Sequence, residues 1–157
     1  MISIEPYNPA WKTGFARLKL ALEQVLQGYS VDIQHVGSTA IPGLPAKPIL
    51  DIDIIIKDLS LLNEISRQLE QAGYINRGDQ GIPGRYAFRQ QLSQVPAGRD
   101  QREWPEHHLY VCLDGCLALK NHLLFRDALL QDRALVMQYA GMKERLTGLH
   151  GISREVY

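Results

Sequence analysis

Residues 35–53 read H-V-G-S-T-A-I-P-G-L-P-A-K-P-I-L-D-I-D, a Gly-Ser turn followed thirteen residues later by two aspartates at i and i+2. Asp51 and Asp53 interrupt the apolar run 49–56, whose length and β-branching predict a strand. Alternate strand residues share a face, so both carboxylates point one way while Leu50, Ile52 and Ile54 point the other way, into a core. At strand rise the two Cα atoms stand about 6.5 to 7 Å apart, close enough for both carboxylates to reach one Mg²⁺ or Mn²⁺, or to flank a pair. The stretch therefore predicts a divalent cation held beside a phosphate.

Composition narrows the setting. A chain of 157 residues suits one domain, 1–157, with a substantial core. Lysine plus arginine total 17 and aspartate plus glutamate total 17, which leaves no global basic field to hold nucleic acid or an anionic membrane. A polyanion must be gripped locally. The N-terminal M-I-S-I-E-P-Y has no basic n-region before an apolar stretch, and no run approaches the ~18 apolar residues of a membrane span. Cys112 and Cys116 are too few for a disulfide framework. These features predict a cytoplasmic protein without a membrane segment.

The elements follow from periodicity. Asn8 and Pro9 give a helix start, and Trp11, Phe15, Leu18, Leu22 and Val25 recur at helical spacing until Gly28. A short strand over 31–36 ends at Gly37-Ser38, and the proline- and glycine-rich stretch 40–48 is an ordered connection into the acid-bearing strand. Leu62, Ile65, Leu69 and Ala72 mark a second helix closed by Gly73. Glycines and a proline over 78–84 mark a turn before a strand over 85–88, and a polar loop over 90–106 leads to a strand over 107–113. Two helices end the chain, the second with a stripe of Leu135, Tyr139, Met142 and Leu146. The sum is an α/β (α+β) domain with a small mixed β-sheet flanked by helices, the acids on its central strand.

A Gly-Ser turn on one strand and D-x-D on the next resembles the nucleotidyltransferase fold. The longer string G-S-T-A-I-P-G-L-P-A-K-P-I-L-D-I-D, with H-H-L-Y-V and L-L-F-R-D-A-L, resembles the GrpB family of bacterial proteins over nearly the whole chain. The resemblance implies a minimal nucleotidyltransferase-like fold with C-terminal helices, sometimes fused to a dephospho-coenzyme A kinase, and a further helical segment beyond Tyr157. It settles fold better than activity. It implies that Gly37, Ser38 and Thr39 bind phosphate, the glycine admitting close backbone approach and the serine donating its hydroxyl. It also implies that Asp51 and Asp53 ligate metal.

A third carboxylate normally completes such a site from a later strand, and here that strand reads His107-His108-Leu109-Tyr110-Val111-Cys112. Histidine suits Mn²⁺ or Zn²⁺ better than Mg²⁺, and it can also accept a proton or donate to phosphate. His108 is thus a candidate catalytic residue and, with His35, a candidate metal ligand. Alternatively, His35 orients the turn and His108 bonds within the sheet. Arg77, Arg85, Arg89, Arg99 and Arg102 outnumber the two nearby aspartates and suit bidentate phosphate contacts, Arg85 and Arg89 foremost. Lys47 stands two residues before the strand and can reach the same phosphates. Arg126 either packs beside Asp127 or faces the site. The histidines alternate faces and no C-x-x-C knuckle exists, which argues against structural zinc.

Two functions compete. One is a metal-dependent nucleotidyltransferase moving a nucleoside monophosphate from a nucleoside triphosphate to a hydroxyl acceptor with Mg²⁺ or Mn²⁺. The other is a non-catalytic module that binds nucleotide, another phosphate-bearing small molecule, or metal without turnover, linked to coenzyme A metabolism. No P-loop, dinucleotide fingerprint or nucleophile elbow is present, which removes kinase and hydrolase readings.

Overall fold

The first helix, α1 (Ala10–Val25), starts where Asn8 Oδ1 accepts from the Ala10 amide at 2.9 Å, and it buries Trp11, Leu18 and Leu22. A computed structural model describes residues 3–98 and 102–147 of the chain. After α1 come β1 (Asp32–Val36), one 3₁₀ turn over Ser38–Ala40, and β2 (Leu50–Ile56). The helix α2 (Leu62–Gln71) follows, then β3 (Ile75–Gly78), β4 (Arg85–Arg89) and β5 (His107–Leu113). The helices α3 (Leu117–Gln131) and α4 (Arg133–Thr147) complete the described residues.

The strands form one five-stranded sheet in the order β1-β2-β5-β4-β3. Only β2 and β5 run parallel; the other neighbours are antiparallel. The mixed sheet agrees with the expectation from sequence. The acids lie on β2, one place from the central strand β5. A strand that the sequence did not announce, β3, pairs with β4 across the glycine-rich turn, and its register shifts between Asn76 and Gly78.

One face of the sheet carries the main core. Leu50, Ile52, Ile54 and Ile56 of β2 and Leu109 and Val111 of β5 pack with Leu18, Leu22, Ile65 and Leu69, all at most 1% exposed. Near this core His107 is held neutral. Tyr74 Oη donates to its Nε2 at 2.7 Å, its Nδ1 donates to the Pro105 carbonyl at 2.7 Å, and burial brings its pKa down to about 4.

A second, smaller core ties the stretch after β1 to the C-terminal helices. Ile41 and Leu44 pack with Leu129 of α3 and Val136 of α4. Leu135 and Tyr139 of the stripe read from sequence pack against this core, and Val136, Ala140 and the buried Lys143 extend the inward face of α4 in place of Met142 and Leu146. Among the described residues no helix is long and apolar enough to cross a membrane.

Candidate active site

Strand register assembles the site. Asp51 pairs with Val36 on β1 and His108 on β5, and His108 pairs onward with Arg89 on β4. Asp53 pairs with Gln34 and Tyr110. Cross-strand partners share a face, so the two acids, His108, Tyr110 and Arg89 lie on the side opposite the main core. The common orientation of the acids, read from their spacing, is present.

Each carboxylate is held by a histidine. His108 Nδ1 lies 3.1 Å from Asp51 Oδ1, with the pair about one-third exposed. His122 Nδ1, from α3, lies 2.7 Å from Asp53 Oδ2, and the Asp53 side chain is 0% exposed. The other oxygen of Asp53, Oδ1, is buried without a hydrogen-bond partner. Desolvating a carboxylate oxygen without compensation is unfavourable by several kcal/mol in order of magnitude. The neighbouring Cys112 thiol is pushed far up by burial and then by the Asp53 charge.

The turn over Asp51 is shaped by Gly37. Its φ of 75° lies in the left-handed region, and a Cβ there would overlap Asp51 Oδ2. Ser38 then starts the 3₁₀ turn, and its Oγ accepts a 2.6 Å hydrogen bond from Lys143 Nζ. Ser38, Thr39, Lys47, Asp51, His108 and Lys143 are among the residues lining a cleft of about 190 Å³ beside the acids. The Thr39 side chain faces inward, with Oγ1 2.9 Å from His35 Nε2.

The remaining candidates are dispersed. His35 pairs with Ile52, so it occupies the face opposite the acids, where its ring stacks on Phe15 at 4.7 Å and burial lowers its pKa to about 4. It braces the turn through Thr39. Arg85 stacks over Tyr110 at 4.5 Å. Arg89 is exposed at the end of the Asp51 row, Arg77 is exposed on β3, and Arg102 lines a separate groove with Arg17 and Trp104. Arg99 falls outside the described residues. Arg126 Nη1 donates to Gln34 Oε1 at 2.6 Å and to the His35 carbonyl at 3.2 Å, which fastens α3 across β1.

His122 and Lys143 escaped the sequence reading. Both sit on helices far along the chain, in phase with buried apolar residues: His122 with Leu119 and Leu129 on α3, where Arg126 also falls, and Lys143 with Val136 and Ala140 on α4. A polar residue in phase with a buried stripe is the signal that could have found them. Among the described residues no three His, Cys, Asp or Glu side chains meet as a ready-made metal cluster.

Comparison with known proteins bears on the family and the fold. The profile of the GrpB protein family matches residues 1–157. The UPF0157 protein YqkA of Bacillus subtilis is 32% identical over 156 residues, covering 99% of this chain and 43% of that protein. The chain thus spans less than half the length of that relative. The crystal structure of conserved protein GrpB from Enterococcus faecalis superposes with a TM-score of 0.78 at 29% identity, over 96% of this chain and 86% of that one. Cid1 in complex with the UTP analog UMPNPP gives a TM-score of 0.55 at 14% identity, over 85% of this chain and 39% of that one. The last likeness is one of fold, that of the nucleotidyltransferases.

Proposed function

The chain belongs to the GrpB family, and from that membership and the acid pair we propose that it is a metal-dependent nucleotidyltransferase acting on a small hydroxyl-bearing acceptor. The observation that carries the reading is Asp53 Oδ1, a buried carboxylate oxygen without a hydrogen-bond partner, beside Asp51 under the Gly37-Ser38 turn. A divalent cation is the partner such an oxygen suits. Two carboxylates that keep one oxygen each outside their histidine contacts fit an oxygen-preferring ion, Mg²⁺ or Mn²⁺, whose other ligands are phosphate oxygens and water. A bound cation would offset charge on the phosphates and the departing pyrophosphate.

The chain's own residues supply the rest. Ser38, Lys47 and Arg89 bind phosphate oxygens, and His122 fixes the orientation of Asp53. The acceptor oxygen attacks the α-phosphorus, the bond from that phosphorus to the bridging oxygen breaks, and pyrophosphate leaves. His108, bonded to Asp51 and open to the cleft, takes the acceptor proton. The neutral overall charge favours a small acceptor over nucleic acid, and a cytoplasmic setting goes with this reading.

A second reading, a non-catalytic binding module, is favoured by His108 standing where a third carboxylate would be expected. The dephospho-CoA kinase of Mycolicibacterium paratuberculosis shares 33% identity with this chain over 76 residues, 46% of this chain and 19% of the kinase, which supports a coenzyme A-like phosphate as that ligand. Calorimetric titration of a nonhydrolysable nucleoside triphosphate with Mn²⁺, and a pyrophosphate-release assay, separate the two. Wild type should bind and release pyrophosphate, and Asp51→Asn should lose both by at least a hundredfold with an unchanged circular dichroism spectrum. Binding without pyrophosphate for any acceptor supports the module; equal behaviour of wild type and variant removes both readings.

A further inference from the structure

The acid-bearing face of the sheet holds a second buried polar atom without a partner, two strands away from Asp53. Three rows of paired residues cross β2, β5 and β4: Asp51, His108 and Arg89, then Asp53, Tyr110 and Ala87, then Ile55, Cys112 and Arg85. Cross-strand partners share a face, so Arg85 stands on the side of the acids. It is half-buried and leans over the middle row, its guanidinium carbon 4.5 Å from the centre of the Tyr110 ring. That contact uses the charge and none of the N–H donors, and the Nε–H is buried without a hydrogen-bond partner. A guanidinium stays protonated, so the unmet donor cannot be relieved by losing charge. Both acids of this face are engaged elsewhere, Asp51 by His108 and Asp53 by His122. Burial pushes the Cys112 thiol far up, the Asp53 charge adds to the push and Arg85 opposes it, so the carboxylate and the guanidinium bear on the same thiol.

His108 sets the side from which an acceptor comes. As the group that takes the acceptor proton it draws the attacking hydroxyl over β5, and the next residue of β5 on that face is Tyr110, about 6.5 to 7 Å further on. A molecule of a few carbon atoms covers that span. Arg89, given above to the nucleotide phosphates, lies four residues from Arg85 along β4, about 13 Å at strand rise, so Arg85 stands apart from the phosphate-binding groups. We infer that Arg85, stacked on Tyr110, forms an oxyanion subsite for the acceptor, which is therefore a small hydroxyl compound carrying a carboxylate or phosphate group. The oxyanion accepts from Nε–H and a second guanidinium N–H side by side, which satisfies the buried donor. The acceptor role rests on the nucleotidyltransferase reading and names its substrate class; the oxyanion contact itself needs no turnover.

The test follows the arginine Nε–H signals of the ¹⁵N-labelled whole chain by nuclear magnetic resonance, in excess chelator, while glycerate, glycerol 3-phosphate or glycerol is added. The Arg85 signal, identified by its loss in Arg85→Lys, should move saturably with the anions and stay in place with neutral glycerol. Movement with glycerate alone assigns a carboxylate, with glycerol 3-phosphate alone a phosphate, and with both an oxyanion of either kind. Arg17, exposed and stacked over Trp104 at 5.7 Å, is the control for unspecific anion effects. An Arg85 shift no larger than that of Arg17 with either anion overturns the subsite. Arg85→Met should weaken binding about tenfold or more, read from the backbone amides of Tyr110 and Ala87, and affinity within twofold of wild type overturns the subsite as well. Should that variant fail to fold, Arg85→Lys, which keeps the charge and loses the paired donors, decides by the same criterion. Pyrophosphate release by wild type without an Arg85 shift rejects the subsite and leaves the transferase reading; an Arg85 shift alongside a failed Mn²⁺–nucleotide titration rejects the transferase reading and leaves the oxyanion contact standing.

Discussion

At the scale of single residues, Gly37 and the acid beneath it are one device. A side chain at Gly37 meets two penalties, a left-handed backbone and the Asp51 carboxylate, whereas at Gly43, φ 86°, an added Cβ only touches Arg133 Nη1 at an ordinary 3.7 Å. Gly43→Ala should therefore lose about 1–2 kcal/mol, the backbone term alone. Gly37→Ala should lose measurably more in urea denaturation and should also abolish Mn²⁺-dependent nucleotide binding. Equal losses would show that Asp51 is not pressed against the turn. Asp51, Asp53, Gly37 and Ser38 were legible because a period-two pair of acids in an isoleucine run is conspicuous and the turn is close in sequence. The histidine partners were only half legible. His108 shows itself on β5, but His122 bonds Asp53 across 69 positions of sequence, a pairing no local pattern encodes.

At the scale of elements, legibility followed burial. The helix α1 and the strands β2 and β5 have strong apolar patterns because one or both faces are covered, and their bounds came out within a residue or so. The edge strand β3 reads Ile75-Asn76-Arg77-Gly78, with no residue buried, and so lacks the alternation that announces a strand. The C-terminal helices are ambiguous for the opposite reason: Leu117, Leu124 and Leu130 on α3 are exposed, so its apolar residues do not mark one side. What the small core adds is placement of the cleft. Leu129→Ala, a fully packed leucine between α3, α4 and the stretch after β1, should lose about 2–5 kcal/mol. It should also weaken Mn²⁺-dependent nucleotide binding at temperatures where the protein is still folded. Leu22→Ala, in the main core on the other face, should lose similar stability and leave that binding within twofold. If both variants bind alike, the small core does not position Lys143.

At the scale of the whole molecule, net charge is zero and the ionisable groups that matter are those kept in one state by the fold. His107 is neutral when folded, with a pKa near 4, against an ordinary value of 6.5 once the chain unfolds. Between those values the unfolded chain binds the proton that the folded chain refuses, so stability rises with pH across this window and is lost as pH falls from 6.5 towards 4. For a group this buried the loss reaches on the order of 3 kcal/mol at the acid end. His35, also held neutral with a pKa of about 4, adds in the same direction. The melting temperature should therefore fall steeply between pH 7 and 4.5. His107→Gln retains a donor and an acceptor for Tyr74 and Pro105 but cannot titrate, so its profile should be flatter over that interval, though its melting temperature at pH 7 is lower. Parallel profiles for the variant and wild type would assign the acid sensitivity elsewhere. Linkage of this kind acts on the whole domain, so the acid pair on β2, the strand beside β5, is lost together with the main core.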